Sequence, residues 1–153
     1  MTVEENVVAM ERTVLVVDDE ELLRRYAARV IADEGYRVFV AGDGFGALAL
    51  LDTGAPPIDL VITDVLMPGM DGVELARRLA LRRPPPQILF VTGGHGLSDL
   101  PGPVLWKPFL ADDLKEMVHH LLAGDLTQTQ PGQEEKTARF ARRSTQSGLT
   151  CPP

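Results

Sequence analysis

Cysteine is almost missing. The single one, Cys151, stands two residues from the end of the 153-residue chain, so neither an internal disulfide nor a cysteine-based metal site can form; it reads as an exposed thiol. No apolar run approaches the roughly 18 residues of a membrane span. The start, "MTVEENVVAMER", carries two early acids and lacks the basic stretch followed by an apolar one that marks a secretory signal. The expected location is the cytoplasm. Basic side chains are also in deficit, with 15 Lys and Arg against 22 Asp and Glu and a formal net charge of −7. That balance disfavours nucleic acid and anionic membrane as partners, because both select a basic surface. There is no internal repeat.

What is present is an alternation. Short apolar runs ("TVLVV", "RVFVA", "DLVIT", "QILFVT", "PVLW") are interleaved with helix-period segments ("EELLRRYAARVIADEG", "FGALALL", "VELARRLAL", "LADDLKEMVHHLLAG"). Runs such as "LVVD" and "LVIT" are continuously apolar, as strands are when helices cover both faces of a parallel sheet. The expected fold is a doubly wound α/β domain with five strands and at least four helices. In the first helical segment Leu22, Tyr26 and Val30 fall on one face, with Leu23, Ala27 and Ile31 beside them, so one buried side built from these residues is expected, and Gly35 sits where a left-handed cap belongs. The last helical segment repeats the pattern with Leu114, Met117, Val118, Leu121 and Leu122, stopping at Gly124.

At 153 residues one domain is expected. Residues 1–11 read as an N-terminal extension and 12–124 as the folded unit. Residues 125–153 hold only Leu126, Phe140 and Leu149 as large apolar groups, too little to offset ordering entropy, so a disordered tail is expected. A short partner-binding helix at "EEKTARFARR" is the alternative for that stretch. The tail carries four basic and three acidic side chains, so the acidity belongs to the folded unit.

In an open parallel sheet, ligands bind beyond the C-terminal ends of the strands. The residues standing there are Asp18 and Asp19 after the first strand, Asp64 after the third, Thr92 after the fourth and Lys107 after the fifth. Three close carboxylates repel, and without a cation at least one would stay protonated. Oxygen-only donors with no Cys or His favour a hard ion, and few protein ligands suit Mg²⁺ better than Ca²⁺; such an ion and Lys107 together cancel the three charges. Each piece alone has a plain structural alternative: a helix N-cap for the Asp pair, a turn for Thr92, a solvated surface lysine for Lys107. Their joint placement at four strand ends favours a site.

With those residues in hand, the chain resembles the receiver domain of two-component response regulators, through "VLVVDDEE", "LVITDVLMPGMDG", "FVTGG" and "WKPF". The resemblance implies a flavodoxin-like five-stranded parallel sheet in the order 2-1-3-4-5. It implies Asp64 as phosphoacceptor and Asp18, Asp19, Asp64 and the backbone carbonyl of Leu66 as the Mg²⁺ site, Asp18 acting mainly through a water. Lys107 and the Thr92 hydroxyl would contact the phosphoryl group. The implied donor is a phosphohistidine on a histidine kinase or histidine phosphotransfer protein, and the output is protein contact with a downstream protein the residues do not identify. In "MPGMDGVE", Pro68 and Gly69 fit a tight turn, and Asp71 with Glu74 fits an N-cap and capping-box pair. The family also implies a cis Lys107-Pro108 bond.

The chain departs from the pattern in two places. The position that in receivers usually holds a switching Tyr or Phe is Val104; the nearest aromatic, Trp106, faces the opposite way from Lys107 by strand alternation. Only 15 positions separate Thr92 from Lys107, and "GGHGLSDLPGP" is rich in breakers, so the helix between the fourth and fifth strands is expected to be shortened or missing. No output domain is legible after Gly124, hence the expectation of a stand-alone receiver or a phosphorelay intermediate. Leu66 and Gly94 occupy positions that affect hydrolysis rate in this family. His95 reads as an exposed loop residue, and His119 and His120 as partners of a helix dipole.

Two readings from other classes compete. Gly42, Gly44 and Ala47 fit G-x-G-x-x-A, a dinucleotide fingerprint, yet they follow the second strand, and the first strand ends in "DDEE", which would repel a pyrophosphate. A haloacid-dehalogenase-type phosphohydrolase also uses an Asp nucleophile with Thr, Lys and Mg²⁺, but places it in D-x-D-x-T/V after the first strand, where this chain has Asp18-Asp19-Glu20.

Overall fold

The computed structural model describes residues 11–54, 56–94 and 99–123; the expectations for Cys151, His95, residues 1–10 of the extension and the tail lie outside those residues. Five parallel strands, β1 (Thr13–Val17), β2 (Arg37–Ala41), β3 (Leu60–Asp64), β4 (Gln87–Thr92) and β5 (Val104–Trp106), form one sheet in the order β2-β1-β3-β4-β5. Four helices connect or follow them: α1 (Glu21–Asp33), α2 (Gly44–Asp52), α3 (Gly72–Leu79) and α4 (Ala111–Leu122). Every residue of β1 and β3 is buried, whereas β2 on the edge is only partly covered, which is why the central runs are continuously apolar and β-branched.

Strand alternation sorts the core into two layers. Val14, Val16, Leu60, Ile62, Val91 and Leu105 meet Ala27, Val30 and Ile31 of α1 and Leu114, Val118, Leu121 and Leu122 of α4. On the other face Leu15, Val17 and Val61 meet Ala47 of α2 and Leu75 and Leu79 of α3. Met117 packs at the margin of the first layer. Gly35 has φ +93 and its N–H donates to Ala32 O at 3.0 Å, closing α1 with the left-handed glycine its sequence position called for.

One expectation for α1 needs correction. Leu22 and Tyr26 are exposed, and the buried stripe runs through Ala27, Val30 and Ile31 with Leu23 partly covered. A row of i, i+4 neighbours drifts by about 40° per step at 3.6 residues per turn, so Leu22 lies about 80° around from Val30. The N-terminal turn of α1 therefore rolls its large side chains off the sheet.

Among the described residues no helix lies between β4 and β5. Leu100 instead packs against Phe90, whose N–H donates to Pro103 O at 3.0 Å, and Gly102 lies alongside the same ring, which stands 3.4 Å from where an added Cβ would be. Val104 joins Phe90 and Val65 in that cluster. Trp106, half-buried, shares the parity of Val104 and stands opposite Thr92 in register. No helix among the described residues is long and apolar enough to cross a membrane.

Candidate functional site

The strands end together, and their ends carry the chemistry. Asp18 follows β1 and donates its N–H to Ala41 O at 3.2 Å, so the turn after β1 is tied to the end of β2. Asp64 is the last residue of β3 and Thr92 the last of β4. Lys107 directly follows β5 and is fixed by a bond from its N–H to Thr92 O at 2.9 Å. The parallel register thus brings side chains up to 89 positions apart into one crevice.

Lys107 Nζ donates to Oδ2 of Asp18 and to Oδ2 of Asp64, each at 3.2 Å. All three side chains are withdrawn from water, with 21%, 6% and 11% of their surface exposed for Lys107, Asp18 and Asp64. Asp19 is exposed, yet one carboxylate oxygen from each of Asp18, Asp19 and Asp64 lies within 4.8 Å of the others. Apolar walls from Leu23, Ala27, Phe109 and Leu114 back the crevice behind Asp18 and Asp64. That desolvation pushes the Asp64 carboxyl above its usual range; Lys107 opposes the rise and the neighbouring Asp18 adds to it. For Lys107, burial works against the ammonium, but the two carboxylates outweigh it and hold the group above the ordinary lysine value. One ammonium is shared between two buried carboxylates, and a third carboxylate is added at the mouth. The described pieces sum to negative charge, which is the donor set a small hard divalent cation satisfies.

Thr92 sits beside this cluster, 1% exposed, its Oγ1 accepting from Gly94 N at 3.2 Å. Leu66, two residues beyond Asp64, is in the following loop and is 60% exposed. That loop is folded back tightly. Gly72 N donates to Val65 O at 2.8 Å, and a Cβ on Gly72 would lie 2.1 Å from the Asp64 carbonyl oxygen, so only glycine allows the approach. Gly69 at φ +80 supplies the turn before it. Asp71 caps α3 by accepting from Glu74 N at 2.8 Å. The reciprocal half of the expected capping box is absent from the observed bonds: the Glu74 carboxylate turns outward to Arg77 and Arg78, where solvent-facing cations compete for it. Lys107-Pro108 is cis, as the resemblance implied.

Three contributors escaped the sequence reading. Gly72 gave no sign beyond a turn-like Asp-Gly pair. Arg24 Nη1 donates to Asp18 O at 2.8 Å; a cation in the opening turn of a helix is unfavourable against the dipole, and that misplacement was the available signal. Asp43 caps α2 by accepting from Gly46 N at 2.7 Å. It sets a carboxylate where a dinucleotide fingerprint would hold pyrophosphate, so Gly42, Gly44 and Ala47 serve packing instead. A Cβ on Gly44 would lie 2.7 Å from Met70 Sδ, and Ala47 is fully buried.

Comparison with known proteins agrees with this arrangement. The model of the response regulator receiver domain family matches residues 14–101. Over 120 residues the chain is 36% identical to the response regulator receiver protein CpdR of Brucella abortus, covering 74% of this chain and 98% of that protein. It is 45% identical over 82 residues to the positive alginate biosynthesis regulatory protein of Pseudomonas aeruginosa, covering 52% of this chain but only 32% of that longer protein. Among solved structures, the response regulator TrrA of Thermotoga maritima, in complex with Mg²⁺-BeF, aligns with a TM-score of 0.64 at 34% identity, covering 72% of this chain and 99% of that one. A crevice of acidic strand ends closed by one lysine, on a 2-1-3-4-5 parallel sheet, defines a phosphoacceptor signalling module. This chain belongs to the response regulator receiver domain family, and nothing in the comparisons favours a haloacid-dehalogenase-type hydrolase.

Proposed function

We propose that residues 12–124 form the receiver unit, and that Asp64 takes a phosphoryl group from a phosphohistidine on a histidine kinase or histidine phosphotransfer protein. An Oδ of Asp64 forms the new O–P bond while the donor P–N bond breaks, and the freed imidazole takes up a proton; the product is an acyl phosphate. Asp18, Asp19, Asp64 and the Leu66 carbonyl would hold Mg²⁺, which supplies charge neutralisation on the transferring oxygens. Lys107, already on the Asp64 carboxylate, follows the charge onto the phosphoryl oxygens. The Thr92 hydroxyl donates to one of them. The chain turns over no substrate in the conventional sense, and its phosphorylated state is read by a protein partner, with no direct role for nucleic acid or membrane.

One observation carries this reading: the shared Lys107 ammonium, 3.2 Å from each of two buried carboxylates that end neighbouring strands. A structural ion pair would need one carboxylate, and burying two is costly unless charge is managed for a purpose. The Mg²⁺-BeF complex of the related TrrA supports the metal assignment. Incubation with acetyl phosphate should give Mg²⁺-dependent incorporation of one phosphoryl group per chain that disappears in Asp64→Asn. Labelling that persists in Asp64→Asn, or multiple turnover of a generic phosphate ester, would overturn it.

A further inference from the structure

We infer that Arg24 is a positioning residue for the cation site: through the main-chain carbonyl of Asp18 it locks the turn that presents Asp19. The inference rests on the metal reading above. Asp19 is the one exposed member of the carboxylate trio, so solvent competes hardest for its orientation. The turn that carries it is fixed on both sides. Glu20 N donates to Asp18 Oδ1 at 2.9 Å, and Arg24 Nη1 donates to Asp18 O at 2.8 Å. The second bond comes from a charged donor, the stronger kind. It spans from the opening turn of α1 back over the end of β1.

Gly42 completes the device. A Cβ there would lie 3.3 Å from Arg24 Nη1 and 3.9 Å from its Cζ, so the bare backbone after β2 is the shelf on which the guanidinium rests. This gives the first glycine of the abandoned dinucleotide fingerprint a role of its own. The arrangement also puts a permanent cation on the β2 flank of the site, while Lys107 occupies the β5 flank. The two differ in kind, since Lys107 bonds the carboxylates, whereas among the described residues the Arg24 guanidinium donates to a carbonyl.

Those two possible roles of Arg24 have opposite signs. A cation acting merely by its charge repels Mg²⁺, so its removal would tighten binding. A residue that positions Asp19 helps Mg²⁺, so its removal would weaken binding. Calorimetric titration of the full chain with Mg²⁺ alone separates them. In Arg24→Ala the dissociation constant should rise about tenfold, the size expected from one charge-assisted hydrogen bond. In Gly42→Ala, which crowds the guanidinium, it should rise about threefold. The double variant should be no weaker than Arg24→Ala alone, because both changes act through the same bond. An unchanged or tighter constant in Arg24→Ala, or full additivity of the pair, overturns the inference. If Arg24→Ala does not fold, Gly42→Ala decides by itself. Asp19→Asn serves as reference: a wild type that binds no Mg²⁺, or an Asp19→Asn variant that binds it as well as the wild type, sinks the metal reading instead.

Discussion

Replacing Lys107 by Met removes the ammonium and leaves most of the stem, so the test isolates charge. In the folded chain that ammonium is 3.2 Å from both Asp18 and Asp64, and the three side chains are 21%, 6% and 11% exposed. At an effective dielectric near 20, unit charges about 4 Å apart interact by roughly 4 kcal/mol, and much of that only offsets desolvation. Deleting one partner of such a buried set costs about 3–5 kcal/mol, because the remaining charges are left uncompensated. At about 4 °C per kcal/mol for a domain near this size, the melting temperature should fall by roughly 12–20 °C. The assay is thermal unfolding followed by circular dichroism at pH 7 with a chelator present. Adding Asp64→Asn to Lys107→Met should restore about half of the loss, since one of the two stranded carboxylates is gone. Acid should help the single variant as well. The folded-state pKa of Asp64 is raised, so its protonation favours the folded form at low pH, and that contribution is lost as pH rises through the raised value. A drop below about 1 kcal/mol, the range of exposed ion pairs, would refute the reasoning, because it would mean that the ammonium is not tied to the carboxylates.

Other outcomes follow from the same geometry. In the wild-type background without metal, Asp64→Asn should raise the melting temperature by a few degrees, on the order of 1 kcal/mol, because it removes a carboxylate whose ionised form burial disfavours; a fall in melting temperature would count against this. Mg²⁺ at about 100 times its dissociation constant should stabilise the chain by about 2.7 kcal/mol, and Asp19→Asn should reduce that gain in the same melting assay. Gly72→Ala should be severely destabilising, by more than about 3 kcal/mol, since its Cβ would lie 2.1 Å from the Asp64 carbonyl; denaturant titration checks it. By contrast His119→Ala, which breaks bonds to Tyr36 and Glu34 at 2.7 and 2.9 Å, should leave the denaturant midpoint almost unchanged because the cluster is open to water.

How much of this was legible follows the physics of each element. Central strands declared themselves, because β1 and β3 are buried on both faces and so had to be apolar throughout. The residues of the proposed site stood out for a related reason: polar groups at the ends of such strands have no packing role, and the structure places Asp18, Asp64, Thr92 and Lys107 at those ends. Helix faces were less certain. The i, i+4 row through Leu22 and Tyr26 looks amphipathic on paper, yet the drift of the row carries both into solvent. Capping was half legible at α3, where the Asp71 bond to the Glu74 N–H depends on local spacing but the fate of the Glu74 side chain depends on Arg77 and Arg78. Gly72 and Arg24 were hidden for a deeper reason. Each acts on a main-chain carbonyl, Asp64 O and Asp18 O, and sequence patterns record side-chain chemistry far better than the approach of one backbone to another.

The proposed chemistry begins at Asp64 as the acceptor. Its most direct test is to treat the chain with acetyl phosphate and Mg²⁺, reduce the product with borohydride and map the reduced residue by peptide mass spectrometry. A single homoserine at position 64, present only with Mg²⁺, is the result expected. Reduction at Asp18 or Asp19 instead, or none at all in chain shown to be folded, would contradict it.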